Sequence, residues 1–168
     1  MNRHARSLAE ALATVLYALM AGFFFAFSVA VAPGLARAEL GTAIGVFQEI
    51  NVVVRNAVFG VAYLGPAVLP VPLLAGTWRE AASMRWRLWA LAWIVYLAGV
   101  QAPTSLINVP INREVAAWTA TAGMAAWPAV LERWTDSNFL RTVASVAALC
   151  LSVVASRMAI PQDQRMRA

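Results

Sequence analysis

The chain of 168 residues has no lysine, one cysteine, one histidine and only 12% charged residues. Each shortage excludes a class of chemistry. Without lysine there is no Schiff-base nucleophile. Cys150 is alone, so neither an intrachain disulfide nor a Cys-x-x-Cys redox pair can form. His4 lies in the N-terminal tail, which argues against a metal site built from His and Cys and against haem ligation by His. No glycine-rich dinucleotide fingerprint occurs either. The low charge stands against a hydrophobic content of 61%. Soluble domains carry about 25% charged residues, so this chain cannot cover a water-facing surface. It reads as an integral membrane protein with one domain, 1–168.

Four apolar runs are present, from about Leu8 to Ala32, Val52 to Gly76, Leu88 to Ile107 and Phe139 to Met158. Each approaches or exceeds the ~20 residues that a helix needs to cross a bilayer core of ~30 Å. Lipid-exposed backbone must satisfy its own hydrogen bonds, so the runs are helices. The expected fold is all-α, an up-down four-helix membrane bundle with short interfacial helices on one face. The first run is too long for a signal-peptide core and reads as a retained span.

Arginine sets the expected orientation. Arg3 and Arg6 precede span one, Arg79, Arg85 and Arg87 fill the connection between spans two and three, and Arg157, Arg165 and Arg167 follow span four. The opposite side mixes Arg37, Arg55, Arg113, Arg133 and Arg141 with acidic residues. This bias places both termini in the cytoplasm of a cell with the chain in its inner, plasma membrane. The net charge of +5 follows from those flanks and not from a soluble basic face, so nucleic acid is not an expected partner. Membrane lipid is one, and a homo-oligomer is compatible with the sequence.

Span one carries the aromatic run 22–28, and Pro33-Gly34 is expected to end its helix. Residues 38–51 read as a short interfacial helix. Gln48, Asn51 and Arg55 then share a helix face, which puts Arg55 about one turn inside span two, either facing a bundle partner or snorkelling to lipid phosphates. Pro66, Pro70 and Pro72 either widen the bundle or break span two near its end. Trp86 and Trp89 read as an interfacial aromatic belt.

Gln101, Ser105, Asn108 and Asn112 fall on one stripe if the helix continues past Pro103 and Pro110. Four hydrogen-bonding side chains on one stripe indicate a packed interior or a wetted cavity. The segment 113–138 is expected to hold one helix to about Ala126 and a Pro128-initiated turn. Asn138 then caps span four. Arg141 falls near its first turn, where a cation opposes the helix dipole and needs a carboxylate such as Glu49, Glu114 or Asp136, or an anionic ligand group.

Together, the Phe-rich first span, Gln48-x-x-Asn51, Asn108-x-Pro-x-Asn112, Trp118 and Arg133-Trp134-x-x-x-Asn138-x-x-Arg141 resemble the anthrone oxygenase family, over nearly the whole chain. The resemblance implies oxidation of a hydrophobic aromatic, polyketide-like substrate by O2 without a resident cofactor or metal. Such a reaction needs an apolar aromatic pocket, a proton acceptor and donors for an enolate oxygen. Asn108, Asn112, Arg55 and Arg141 are the expected oxyanion donors. Glu114 or Asp136 is the expected base, unless the substrate arrives already ionised. Phe27, Trp118 and Trp134 are the expected aromatic walls, with Gln48, Asn51, Gln101, Arg133 and Asn138 as further substrate contacts. Two other readings use the same residues: a cyclase or rearrangement enzyme, and a non-catalytic membrane scaffold held by buried amides.

Overall fold

The computed structural model describes residues 2–119 and 123–158. They form helices with no strand among the described residues. Four helices are long and apolar enough to cross a membrane: α1 (Arg3–Arg37), α3 (Ala57–Gly76), α4 (Met84–Ala116) and α5 (Trp127–Arg157). A shorter helix, α2 (Leu40–Val53), lies between α1 and α3. The chain is an integral membrane helix bundle. The start of α1, the end of α5 and the α3–α4 turn share one end, and α2 packs on the end of α4 and the start of α5 at the other.

Several helices run further than the sequence suggests. Pro33 does not end α1. It removes one N–H from the ladder, and a wide turn just before it takes up the slack, with the Ala32 amide donating to the carbonyl of Phe27. Similar wide turns sit at Leu97–Gln101 and Thr104–Asn108, on either side of Pro103 and before Pro110. Such turns hold one extra residue and commonly mark functional segments. Pro66 lies inside α3 without breaking it. Pro70 cannot donate to the carbonyl of Pro66, and the Tyr17 hydroxyl takes that acceptor at 3.4 Å.

Tryptophan also differs from expectation. Trp89 is buried in the core beside Tyr17, Tyr96 and Phe24, not in an interfacial belt. Trp86 and Trp93 are half-buried and pin α4 to α3, donating their indole N–H groups to Leu74 O at 3.2 Å and Ala67 O at 2.8 Å. Indole suits this role because its apolar body fills space while its N–H meets a stray carbonyl.

At the capped end α2 buries Ala43, Ile44 and Phe47 against Ile111, Val115, Trp127 and Trp134. Glu39 starts the helix by accepting from the amides of Gly41 and Thr42 at 3.0 and 2.9 Å. Those amides, and then the Thr42 hydroxyl, hold its carboxyl below the ordinary range. The helix on the C-terminal side of the motif region ends earlier than expected, at Ala116. Pro128 opens α5 in its first turn, as its fixed φ favours.

The terminal end is held by a buried ionic cluster. Glu10 accepts from Arg6 Nε at 3.1 Å and from Arg85, and Arg6 Nη1 meets both oxygens of Glu80 at 2.8 Å. Arg85 also donates to the carbonyls of Ser156 and Met158, which terminate α5. One cluster thus ties α1, the α3–α4 turn, α4 and α5. It leaves two arginines expected simply to flank spans neutralised by carboxylates. Removing one partner of a buried pair strands the other charge. Glu10→Ala, which leaves Arg85 without a carboxylate, is expected to lower stability by about 3–5 kcal/mol. Glu80→Ala should cost less, because Glu80 is about one-quarter exposed. Thermal unfolding of the two variants in detergent measures the order.

Candidate functional site

The site lies where α1, α3, α4 and α5 meet beneath α2. A cavity of about 330 Å³ is lined there by Phe23, Phe24, Phe27, Phe59, Tyr63 and Trp134, with Asn51, Thr104 and Asn112 as neutral polar groups. Its charged lining among the described residues is Arg55, Arg113 and Arg141, with no carboxylate among them. The volume falls within the range of small-molecule sites.

Arg141 is the centre of this arrangement. It is only 5% exposed. Its Nη1 donates to Thr104 Oγ1 at 3.3 Å and its Nη2 to Asn138 Oδ1 at 3.0 Å. The guanidinium carbon lies 4.6 Å from the Phe24 ring centre and 5.3 Å from that of Trp134. The Nε is buried without a hydrogen bond. Among the described residues, ion pairs join only Arg6, Glu10, Glu80 and Arg85. The carboxylate partners expected for Arg141 are therefore elsewhere. A desolvated cation held by ring faces and two neutral acceptors has unused capacity for an anion.

The sequence places Asn138 as a cap and Arg141 near a helix start. Instead α5 begins eleven residues before Asn138, and both lie within the helix. The dipole therefore does not penalise Arg141. Trp134, Asn138 and Arg141 follow at i, i+4 and i+7 and share one face. Arg133 falls off that face and is exposed.

Asn138 is saturated. Its Nδ2 donates to Phe24 O at 3.0 Å and Ser28 Oγ at 2.8 Å, and its Oδ1 receives Arg141. Asn108 is engaged at both ends of its amide, with Nδ2 on Trp134 O at 3.3 Å and Oδ1 accepting from Ser137 at 2.7 Å. It does not line the cavity and joins α4 to α5. Asn112 does line it. Its Oδ1 accepts from Trp134 Nε1 at 2.8 Å, which fixes the indole, and its Nδ2 has no partner among the described residues.

The expected stripe of four polar residues on α4 divides. Gln101 donates to Tyr63 O at 3.0 Å and Ser105 is exposed, while Asn108 and Asn112 split as above. The wide turns are the cause. One extra residue rotates the following side chains by about 100° in a helix of 3.6 residues per turn.

Other expected contacts also move. Gln48 donates to Val115 O at 2.8 Å and Trp118 O at 3.1 Å, tying α2 to the end of α4. Trp118 packs beside α2 but lies off the cavity. Asn51 lines the cavity, though its Nδ2 turns back to Phe47 O at 2.8 Å. Arg55 is not inside a span. It occupies the break between α2 and α3, is exposed, and donates Nε to Asn51 O at 2.8 Å. Glu114 and Asp136 are exposed and neither lines the cavity; Asp136 flanks a separate groove against Pro33 and Leu40. Neither reaches Arg141 as a base.

The lining groups that escape the sequence reading as site residues include Phe23, Phe24, Phe59, Tyr63, Thr104 and Arg113. The Tyr63 hydroxyl lies against Thr104 and within electrostatic reach of Arg141. Phe59 stacks on Tyr63 with ring centres 5.8 Å apart. An aromatic pair at i, i+4 inside an apolar span gives no distinguishing signal, whereas Arg113 directly follows Asn112.

The fold and site define a class: a four-span membrane bundle enclosing an aromatic, cationic cavity in its half nearer α2. The anthrone oxygenase family model matches residues 47–151. The match covers more than half of the chain, and the chain belongs to that family. No curated protein and no solved structure matches. The matched residues include all three cavity arginines.

Saturation separates scaffold from site. Asn138→Ala removes three hydrogen bonds and the seat of Arg141, and is expected to lower stability by about 1–3 kcal/mol. Asn112→Ala, at the cavity wall, should cost under about 1 kcal/mol. Paired thermal and denaturant unfolding in detergent checks the contrast.

Proposed function

We propose that this protein is a membrane-embedded oxygenase that oxidises an electron-rich, hydrophobic aromatic substrate of the anthrone type with O2, without a resident metal or flavin. One observation carries the reading: Arg141 is buried at an aromatic cavity with spare donor capacity and no carboxylate. An enolate or phenolate oxygen is the complement to that cation. The family membership supplies the reaction type.

The chemistry balances with O2 alone. Loss of a proton from the central methylene gives a carbanion whose charge rests largely on the ring oxygen. That oxygen sits against Arg141, with Asn112 Nδ2 as a further donor. The carbanion passes an electron to O2, and recombination forms a carbon–oxygen bond as a peroxide. Loss of the remaining methylene proton and cleavage of the O–O bond leave a ketone and one water. The methylene carbon is oxidised by four electrons, and O2 accepts all four.

Since Glu114 and Asp136 face away and a neutral phenol is a donor and not a base, the substrate arrives already ionised, in the form the arginines favour, and the Tyr63 hydroxyl is a further donor to its oxygen. Phe24, Phe27 and Trp134 supply the aromatic walls. Arg55 and Arg113 raise the local concentration of anions. The orientation that fits the arginine bias places both termini in the cytoplasm and the cavity in the outer half of the plasma membrane.

Membranes carrying the protein, mixed with an anthrone under air or argon, test the proposal by the absorbance of the quinone. Wild type should exceed empty membranes only in air. Arg141→Ala should lower turnover about 10²–10³-fold, and Tyr63→Phe, which removes one donor to the oxyanion, about 10²-fold. Glu114→Gln and Asp136→Asn should change it less than about twofold. Conversion no faster than in empty membranes overturns the oxygenase reading. Full activity of folded Arg141→Ala overturns the site.

A further inference from the structure

A second space adjoins the cavity. It is a groove of about 1140 Å³ between α1, α2 and α3, lined by apolar side chains apart from Thr42, Glu49 and Asn56. Several of its walls face outward: Leu19, Val46, Val53 and Val58 are each about half exposed or more. On spanning helices that surface meets lipid.

The groove and the cavity share Phe23, Phe27, Ile50, Val54 and Phe59. The partition is therefore made of side chains. Three of them form a ring series, with Phe23 4.8 Å from Phe27 and 5.0 Å from Phe59 between centres. Side-chain rotation, without movement of a helix, would join the two spaces.

Charge gives the combined space a direction. The cavity has three arginines and no carboxylate, whereas the only charged residue lining the groove is Glu49. An anionic head is drawn to the first and repelled from the second. Gly45 adds an independent sign that the groove is kept open. It lies within α2, where glycine is unfavourable by about 1 kcal/mol relative to alanine. No neighbour requires its small size, because a Cβ placed there meets nothing within 4 Å.

We infer that the substrate is an amphiphile, whose anionic aromatic head sits against Arg141 and whose alkyl tail lies in the α1–α2–α3 groove, reached sideways from the bilayer. The inference rests on the anion-binding reading of the cavity but not on oxygenation. It adds a tail to the substrate class and a route of access. Lipid is as apolar as the groove, so the tail contributes orientation more than affinity.

The test is binding to the full chain in nanodiscs at neutral pH, using 2-naphthoate and 6-hexyl-2-naphthoate, both ionised there, as probes and subtracting empty nanodiscs. Gly45→Phe places a ring in the groove. It should weaken the hexyl probe about tenfold or more relative to the parent naphthoate, since overpacking costs ~1–3 kcal/mol. Arg141→Ala should weaken both probes. Equal effects of Gly45→Phe on the two probes overturn the tail site. Unchanged binding of both in Arg141→Ala overturns the anion site on which it rests, and a lack of oxygenation with the binding pattern intact overturns only the reaction. A hexyl probe with a terminal diazirine tests the wild type directly. Labelling of residues 42–54 or 58–62 supports the inference, and labelling confined to lipid-facing positions such as Val29 and Val146 overturns it.

Discussion

The structure around the cavity depends on keeping one guanidinium dry. Arg141 lies deep in a largely apolar bundle, and desolvating a cation there is costly. The fold offsets that cost with polar and aromatic contacts and no countercharge. Asn138 gives its amide oxygen, Thr104 its hydroxyl, and Phe24 and Trp134 their ring faces. Each supporter is itself held. Asn138 hangs from Phe24 O and Ser28, Ser28 meets Thr142 at 2.9 Å, and the Trp134 indole is fixed by Asn112. Such a shell lets the cation remain charged without filling its coordination, which a carboxylate would do.

Irregular helix turns are what make this shell possible. A regular α1 containing Pro33 would leave a free carbonyl and bend. The wide turn at Phe27–Val31 instead presents Ser28 toward α5. On α4 two such turns separate Gln101, which pins α3, from Thr104 and Asn112, which face the cavity. Proline supplies the defect, and the extra residue decides which side chains look inward. At close contacts, small residues set the spacing: a Cβ on Gly99 would come within 2.3 Å of the Ala144 Cβ. That approach brings α4 and α5 together just below Arg141 and Thr104.

Much of this was legible in the sequence, because the dominant constraint is local. Four spans follow from the length of apolar runs, and α2 from the reading of residues 38–51 as a short interfacial helix. The run from Arg133 to Arg141 was visible as a motif, and its Trp134, Asn138 and Arg141 do converge. What failed was position along the helix. The apolar run begins at Phe139, but α5 begins at Trp127, because Trp127, Val130, Leu131 and Trp134 are buried in the cluster with α2 and because Ser137 and Asn138 are buried with them. That tertiary burial turns a supposed cap into an interior hydrogen-bonding group. Glu10 was equally hidden. A single acid within an apolar run means little until Arg6 and Arg85 are seen around it. Tyr63 and Phe59 carry no local mark, since only the crossing of α3 with α4 and α5 gives them a role.

The amides of the family-like motif were the hardest to rank, and hydrogen-bond saturation ranks them. Asn108 and Asn138 look like ligand donors in sequence, yet both ends of each amide are occupied by protein. To bind a substrate, either would have to break bonds that hold the bundle together. Asn112 and Arg141 differ because each is half used: one bond or one shell orients the group, and a donor is left over. A donor both oriented and unspent is what electrostatic stabilisation of a developing oxyanion requires, since nothing must reorganise when the charge appears. The same criterion separates Arg141 from Arg85. Both are buried and both keep an unpaired Nε, but Arg85 is neutralised by Glu10 and spent on the end of α5. Among the described residues, only at Arg141 does burial meet an open cavity without a countercharge, and that conjunction, more than the presence of arginine in a membrane, is what points to an anionic substrate.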